Sequence, residues 1–115
     1  MATIRAFTTI EQSRKLAEIL PLESADMWYD NNGESTAGRP EVRCGSFVGL
    51  ASKNIPCWSL VSLLDVLPKG TNISVPKPTN ELGYCCWNQY DEIYADNPVD
   101  ACYEMIIKLH EMNLL

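Results

Sequence analysis

Long apolar runs are missing from this 115-residue chain; no stretch approaches the roughly 18 or more residues that a membrane-spanning helix needs. Residues 1–10 also lack the continuous apolar stretch of a signal peptide, so the expectation is a cytoplasmic protein with no membrane segment. Imidazole is nearly absent, His110 being the only one, and no nucleophile elbow, His-Glu-x-x-His, phosphate-binding glycine loop or calcium loop occurs. A motif-borne hydrolase, metalloprotease or nucleotide-binding enzyme is therefore excluded, leaving only an enzyme whose site assembles from distant residues. There is no Cys-x-x-Cys spacing among the five cysteines (44, 57, 85, 86 and 102), and the odd count argues against a secreted disulfide scaffold. Cys85 and Cys86 are neighbours whose side chains point to opposite faces of a strand, so they do not converge on one metal. No metal and no cofactor are expected, and the thiols read as reduced core residues.

Base is scarce where acid is concentrated. The net charge of −6 lies wholly in residues 81–115, where seven acids face Lys108 alone, whereas residues 1–80 carry eight acids and eight bases. That part of the surface repels a phosphate backbone, which disfavours nucleic-acid binding. Hydrophobic residues make up 46% of the chain and charged residues 21%, an ordinary globular composition, and a chain of this length buries about two-thirds of its unfolded surface without a staple. One domain spanning residues 1–115 is expected, with no internal repeat.

Three helices are readable. Thr8 and Glu11 have the spacing of a capping box, and Ile10, Leu16, Ala17 and Leu20 fall on one side of a helix from about Thr9 that Pro21 ends. Pro56 suits a first helical position, followed by the apolar face Cys57, Leu60, Val61, Leu63, Leu64 and Leu67, with Trp58, Ser62 and Asp65 off it. Asn97-Pro98-Val99-Asp100 combines a capping side chain, a first-position proline and a first-turn acid, and leads into a helix to about Met112. Within it an outward Glu104–Lys108 pair is expected. Leu60, Leu64, Leu67, Val99, Cys102, Met105, Ile106 and Leu109 are the expected core.

Strand signals fill the intervals: Asp26 to Asp30 with a partner somewhere in Val42 to Leu50, a brief strand at Asn72 to Val75, then Tyr84 to Tyr90 and Glu92 to Ala95 as a hairpin. Residues 31–41, rich in Gly, Ser, Asn and charge, read as an exposed mobile loop. The fold class is α+β in the order α-β-β-α-β-β-α, an antiparallel sheet packed with three helices.

Four phrases carry a resemblance: Thr9-Ile-Glu-Gln-Ser-Arg-Lys-Leu16, Ser24-Ala-Asp-Met-Trp-Tyr29, the run from Pro56 to Pro68, and that from Asp96 to Met105. Through them the chain resembles a group of small proteins encoded by prophages and other mobile elements of gut bacteria. The resemblance covers most of the chain except residues 31–54, and its motifs are helix starts and apolar faces. It implies a genomic setting and transfers no functional residue.

Three function classes follow. The first is a non-enzymatic accessory or protein-binding module of a mobile element. Its candidate interface residues are the clustered aromatics Trp28, Tyr84, Trp87 and Tyr90; alternation places Tyr84, Cys86, Asn88 and Tyr90 on one strand face and Cys85, Trp87 and Gln89 on the other. Three short helices cover one face of a sheet more readily than two, so exposed aromatics here would meet a protein partner or a second copy in a homodimer. The same aromatics also fit a core role. The second class is an acidic nucleic-acid mimic that inhibits a host enzyme, and the third is an enzyme without a visible motif.

Overall fold

The computed structural model describes residues 5–29, 41–42, 55–76 and 83–115, with residues 41–42 described by backbone alone. The chain is α+β: α1 (Ile10–Ala17), a 3₁₀ turn (Leu22–Ser24), β1 (Met27–Tyr29), β2 (Glu41–Val42), β3 (Ile55–Cys57), α2 (Leu60–Val66), β4 (Asn72–Ser74), β5 (Tyr84–Trp87), β6 (Glu92–Ala95) and α3 (Pro98–Glu111). The strands form two three-stranded antiparallel sheets, in the orders β2-β1-β3 and β4-β5-β6. Residues 31–40 of the expected loop at 31–41 and most of the expected partner strand lie outside the described residues, whereas Glu41, the last residue of that loop, belongs to a strand and with Val42 pairs with Trp28 and Met27.

α1 is capped one residue later than the sequence spacing predicts. Thr9 accepts from the Gln12 backbone N–H (3.1 Å), and the Gln12 side chain accepts from the Thr9 N–H (3.0 Å). Thr8 is taken up elsewhere. It is fully buried, its hydroxyl lies 2.8 Å from that of Ser13 and accepts from the Trp58 N–H (3.2 Å), and its carbonyl accepts from the Tyr29 hydroxyl (2.6 Å). α2 starts later than expected, at Leu60 with Ser59 as its cap. Pro56 instead lies in β3 opposite Trp28, on an edge strand where its missing N–H is tolerated. Asp26 sets the start of α2: its carboxylate accepts both the Ser59 backbone N–H (2.9 Å) and the Ser59 hydroxyl.

α3 begins as its sequence dictates, the Asn97 side chain accepting from the Asp100 N–H (2.9 Å). Asp100 also ties this helix to α1, because its Oδ1 accepts from Arg5 (2.6 Å) and from Gln12 Nε2 (2.7 Å). Lys108 pairs not with Glu104 but with Asp91 in the β5–β6 turn, at 3.0 Å.

The main core joins α2 and α3 to the second sheet. Leu16, Trp58, Leu63, Cys86, Val99, Cys102, Met105, Ile106 and Leu109 are wholly buried within it, and Leu67 nearly so. Leu60 and Leu64, expected inside, are only half-buried at its margin, and Ser62, expected outside, is buried. The inward side of α2 is that of Ser62, Leu63 and Leu67, and Val61, also expected on the apolar face, is 75% exposed. Trp58 is enclosed, with its indole N–H donating to the Ser24 hydroxyl (2.9 Å). A smaller cluster of Tyr29, Ile55 and Cys57 packs with Phe7, Ile10 and Met27 under the first sheet.

Candidate functional site

Among the described residues the second sheet has one covered and one open face, and strand alternation decides which residues share each. Register aligns Ile73 with Cys86 and Cys86 with Ile93 on the inner side, where they pack into the core beneath α3. The outer side carries Asn72, Trp87 and Glu92 in one row and Ser74, Cys85 and Tyr94 in the next. There Trp87 is 43% and Tyr94 40% exposed, whereas Cys85 between them is only 7% exposed. Both polar tips are held: the Trp87 indole N–H donates to Ser74 Oγ (3.0 Å), and the Tyr94 hydroxyl donates to Glu92 Oε1 (2.6 Å). The two aromatics and the Cys85 between them line a slot of about 210 Å³, together with Ser74, Val75, Glu92 and Gly83.

Gly83 shapes one wall of this slot. Its φ of +92° is left-handed, and a Cβ there would sit 2.4 Å from the Ala95 carbonyl oxygen. Beyond Trp87 the chain reverses in a turn in which the Asn88 side chain accepts from the N–H groups of Tyr90 (2.8 Å) and Asp91 (3.2 Å). Asp91 is held below its ordinary pKa by the Glu92 N–H and by Lys108.

The sequence-derived candidates do not form one surface. Trp87 lies in the slot, and Tyr90, 44% exposed, stands at the tip of the turn rather than on a strand face with Tyr84. Tyr84 is half-buried on the inner side, opposite Ala95, and Trp28 is half-buried in the first sheet. Tyr94 belongs to the aromatic cluster of the sequence and Glu92 to its Asp91-Glu92 pair, but neither is among the interface candidates; the alternation of β6 opposite β5 is the signal that places both beside Trp87.

Burial pushes the Cys85 thiol above its usual range, against the lowering effect of its hydrogen bond with Tyr94, so it is not poised as a thiolate. The Tyr94 phenol is pushed up to about 12, chiefly by its hydrogen bond to Glu92. His110 is exposed near the end of α3, its Nδ1 lying 3.0 Å from the Leu115 oxygen. Cys57, Cys85, Cys86 and Cys102 are buried free thiols, and Cys44 lies outside the described residues. Cys86 and Cys102 share a hydrogen bond in the core, which together with burial holds Cys102 far above the usual thiol range.

A larger groove of about 430 Å³ runs between the 3₁₀ turn and α2, lined in part by Glu23, Asp26, Val61 and Asp65. Its Asp26 is committed to capping α2. Among the described residues no three His, Cys, Asp or Glu side chains gather as a metal-binding group, and no helix is long and apolar enough to cross a membrane. No family model, no curated protein and no solved structure matches this chain.

Proposed function

We propose that this chain is a non-enzymatic protein-binding module, of the accessory kind that phages and other mobile elements encode, and that it meets its partner through the outer face of the second sheet. One observation carries the reading: among the described residues α3 covers a single face of that sheet, and the other presents Trp87 and Tyr94 on a hydrogen-bonded scaffold, with the exposed Tyr90 at the tip of the adjoining turn. Large aromatics with few rotatable bonds supply contact area at small entropic cost, and their polar tips here are already satisfied, so docking strands no hydrogen-bonding group. The acidic-mimic reading has less support, because Asp91 and Asp100 are committed to Lys108 and Arg5 within the fold.

The test is a photo-crosslinking residue placed at position 90 and, as a control, at position 61, where Val61 is 75% exposed on α2. In the native host, position 90 should yield a discrete protein adduct that position 61 does not. Equal adducts from both positions, or none from either, would refute an interface on this face.

A further inference from the structure

We infer that the slot between Trp87 and Tyr94 receives a cationic side chain, so that the partner presents a lysine- or arginine-rich segment to this face. The inference rests on the reading of the outer face as the partner surface and adds the chemistry that would recognise the partner. Three features of the slot converge on positive charge. Two of its lining residues are the aromatics Trp87 and Tyr94, and aromatic rings attract ammonium and guanidinium groups through their negative quadrupole faces. Its rim carries the exposed Glu92 carboxylate, which among the described residues accepts the Tyr94 hydroxyl and pairs with no base. Between the aromatics lies the buried Cys85, and the lining offers no cation of its own.

The surroundings reinforce the sign. Residues 81–115 contain one base, and that base, Lys108, is neutralised by Asp91 at 3.0 Å. Asp96 stands exposed just past β6. The volume of about 210 Å³ suits one side chain and not a helix or a nucleobase pair. A second copy of the chain is a poor occupant. A two-fold interface apposes the same patch from each copy, and here it would bring together two Glu92 carboxylates and two segments that hold the whole net charge of −6. A basic segment instead gains from steering by that field, and the gain falls as salt rises.

The experiment titrates the ¹⁵N-labelled protein with capped penta-lysine, penta-arginine and penta-glutamate peptides. It follows the Trp87 indole N–H signal, identified by its loss in Trp87→Leu, and the amides of Cys85, Glu92 and Tyr94. At low salt a lysine or arginine peptide should move these signals saturably while the glutamate peptide leaves them in place. Glu92→Gln, whose amide oxygen still accepts from Tyr94, should weaken binding about fivefold. Trp87→Leu, which keeps apolar bulk and loses the ring, should weaken it by a similar factor of about five. Asp65→Asn, in the other acidic groove, should change nothing. The inference is overturned if neither cationic peptide moves the slot signals, if Asp65→Asn matters as much as Glu92→Gln, or if the signals move with protein concentration alone, which would make the occupant a second copy. Crosslinks at position 90 that persist undiminished under excess cationic peptide would sink the cationic occupant while leaving the docking face standing; absence of those crosslinks would remove the face itself.

Discussion

Leu63 and Leu64 are adjacent, identical in chemistry and placed in the same short helix, yet alanine should affect them very differently. Leu63 is wholly enclosed in the core that joins α2 to α3, whereas Leu64 is half-buried at its margin. Truncating a fully enclosed leucine removes its transfer free energy and leaves a cavity, a loss of about 2–5 kcal/mol. Leu64 is partly exposed at the margin of the core, so its truncation opens to water rather than leaving a closed cavity, and the loss is about 1–2 kcal/mol. For a domain of this size the difference of about 2 kcal/mol separates the two melting temperatures by roughly 6–12 °C. Urea denaturation followed by far-ultraviolet circular dichroism measures both midpoints, and an unchanged denaturant slope confirms that the variants unfold like the parent. Equal losses, or a larger loss at Leu64, would refute the placement of α2, because a rotation of the helix by about 100° would bring Leu64 to the inward side that Leu63 holds.

Two further outcomes test the rest of the scaffold. Asp100→Ala removes the acceptor shared by Arg5 and Gln12 and the partner of the Asn97 amide, so it should cost about 1–3 kcal/mol in urea midpoint and loosen α1 from α3 in hydrogen exchange; exchange unchanged in α1 would show that this link is not structural. Tyr29→Phe leaves the Thr8 carbonyl with only a long contact to Cys57 Sγ (3.5 Å), a loss of about 1 kcal/mol at neutral pH. Burial raises the Tyr29 pKa, so its stabilising effect is complete below the unfolded tyrosine value of about 10 and is lost as pH rises through that value toward the higher folded one. The fall in stability between pH 9 and 11 should therefore be shallower in Tyr29→Phe than in the parent, and an identical slope would dismiss Tyr29 as its source.

The parts of this protein that the sequence determined are those in which the interacting groups lie within a few residues of one another. Asn97, Pro98 and Asp100 set the start of α3 through a bond spanning three residues, and its apolar spacing marks the side that Val99, Cys102, Met105, Ile106 and Leu109 bury. The β5–β6 hairpin is equally local, closed by Asn88 bonding to its own turn. Where two local solutions compete, distant groups decide. Thr8 and Thr9 are both able to cap α1, and Thr9 does so because Thr8 is drawn into contacts with Trp58 and Tyr29. Pro56 fits a helix start or an edge strand, and pairing with Trp28 makes it a strand and moves the helix on to Ser59.

The candidate site shows the same division. Alternation puts Cys85 and Trp87 on one side of their strand from sequence alone, but it does not say which side meets water. Only the packing of α3 against Ile73, Cys86 and Ile93 settles that, and only the register of β6 brings Glu92 and Tyr94 beside Trp87. A strand's two faces are chemically distinct in the sequence but become inside and outside only when a helix from elsewhere in the chain covers one of them.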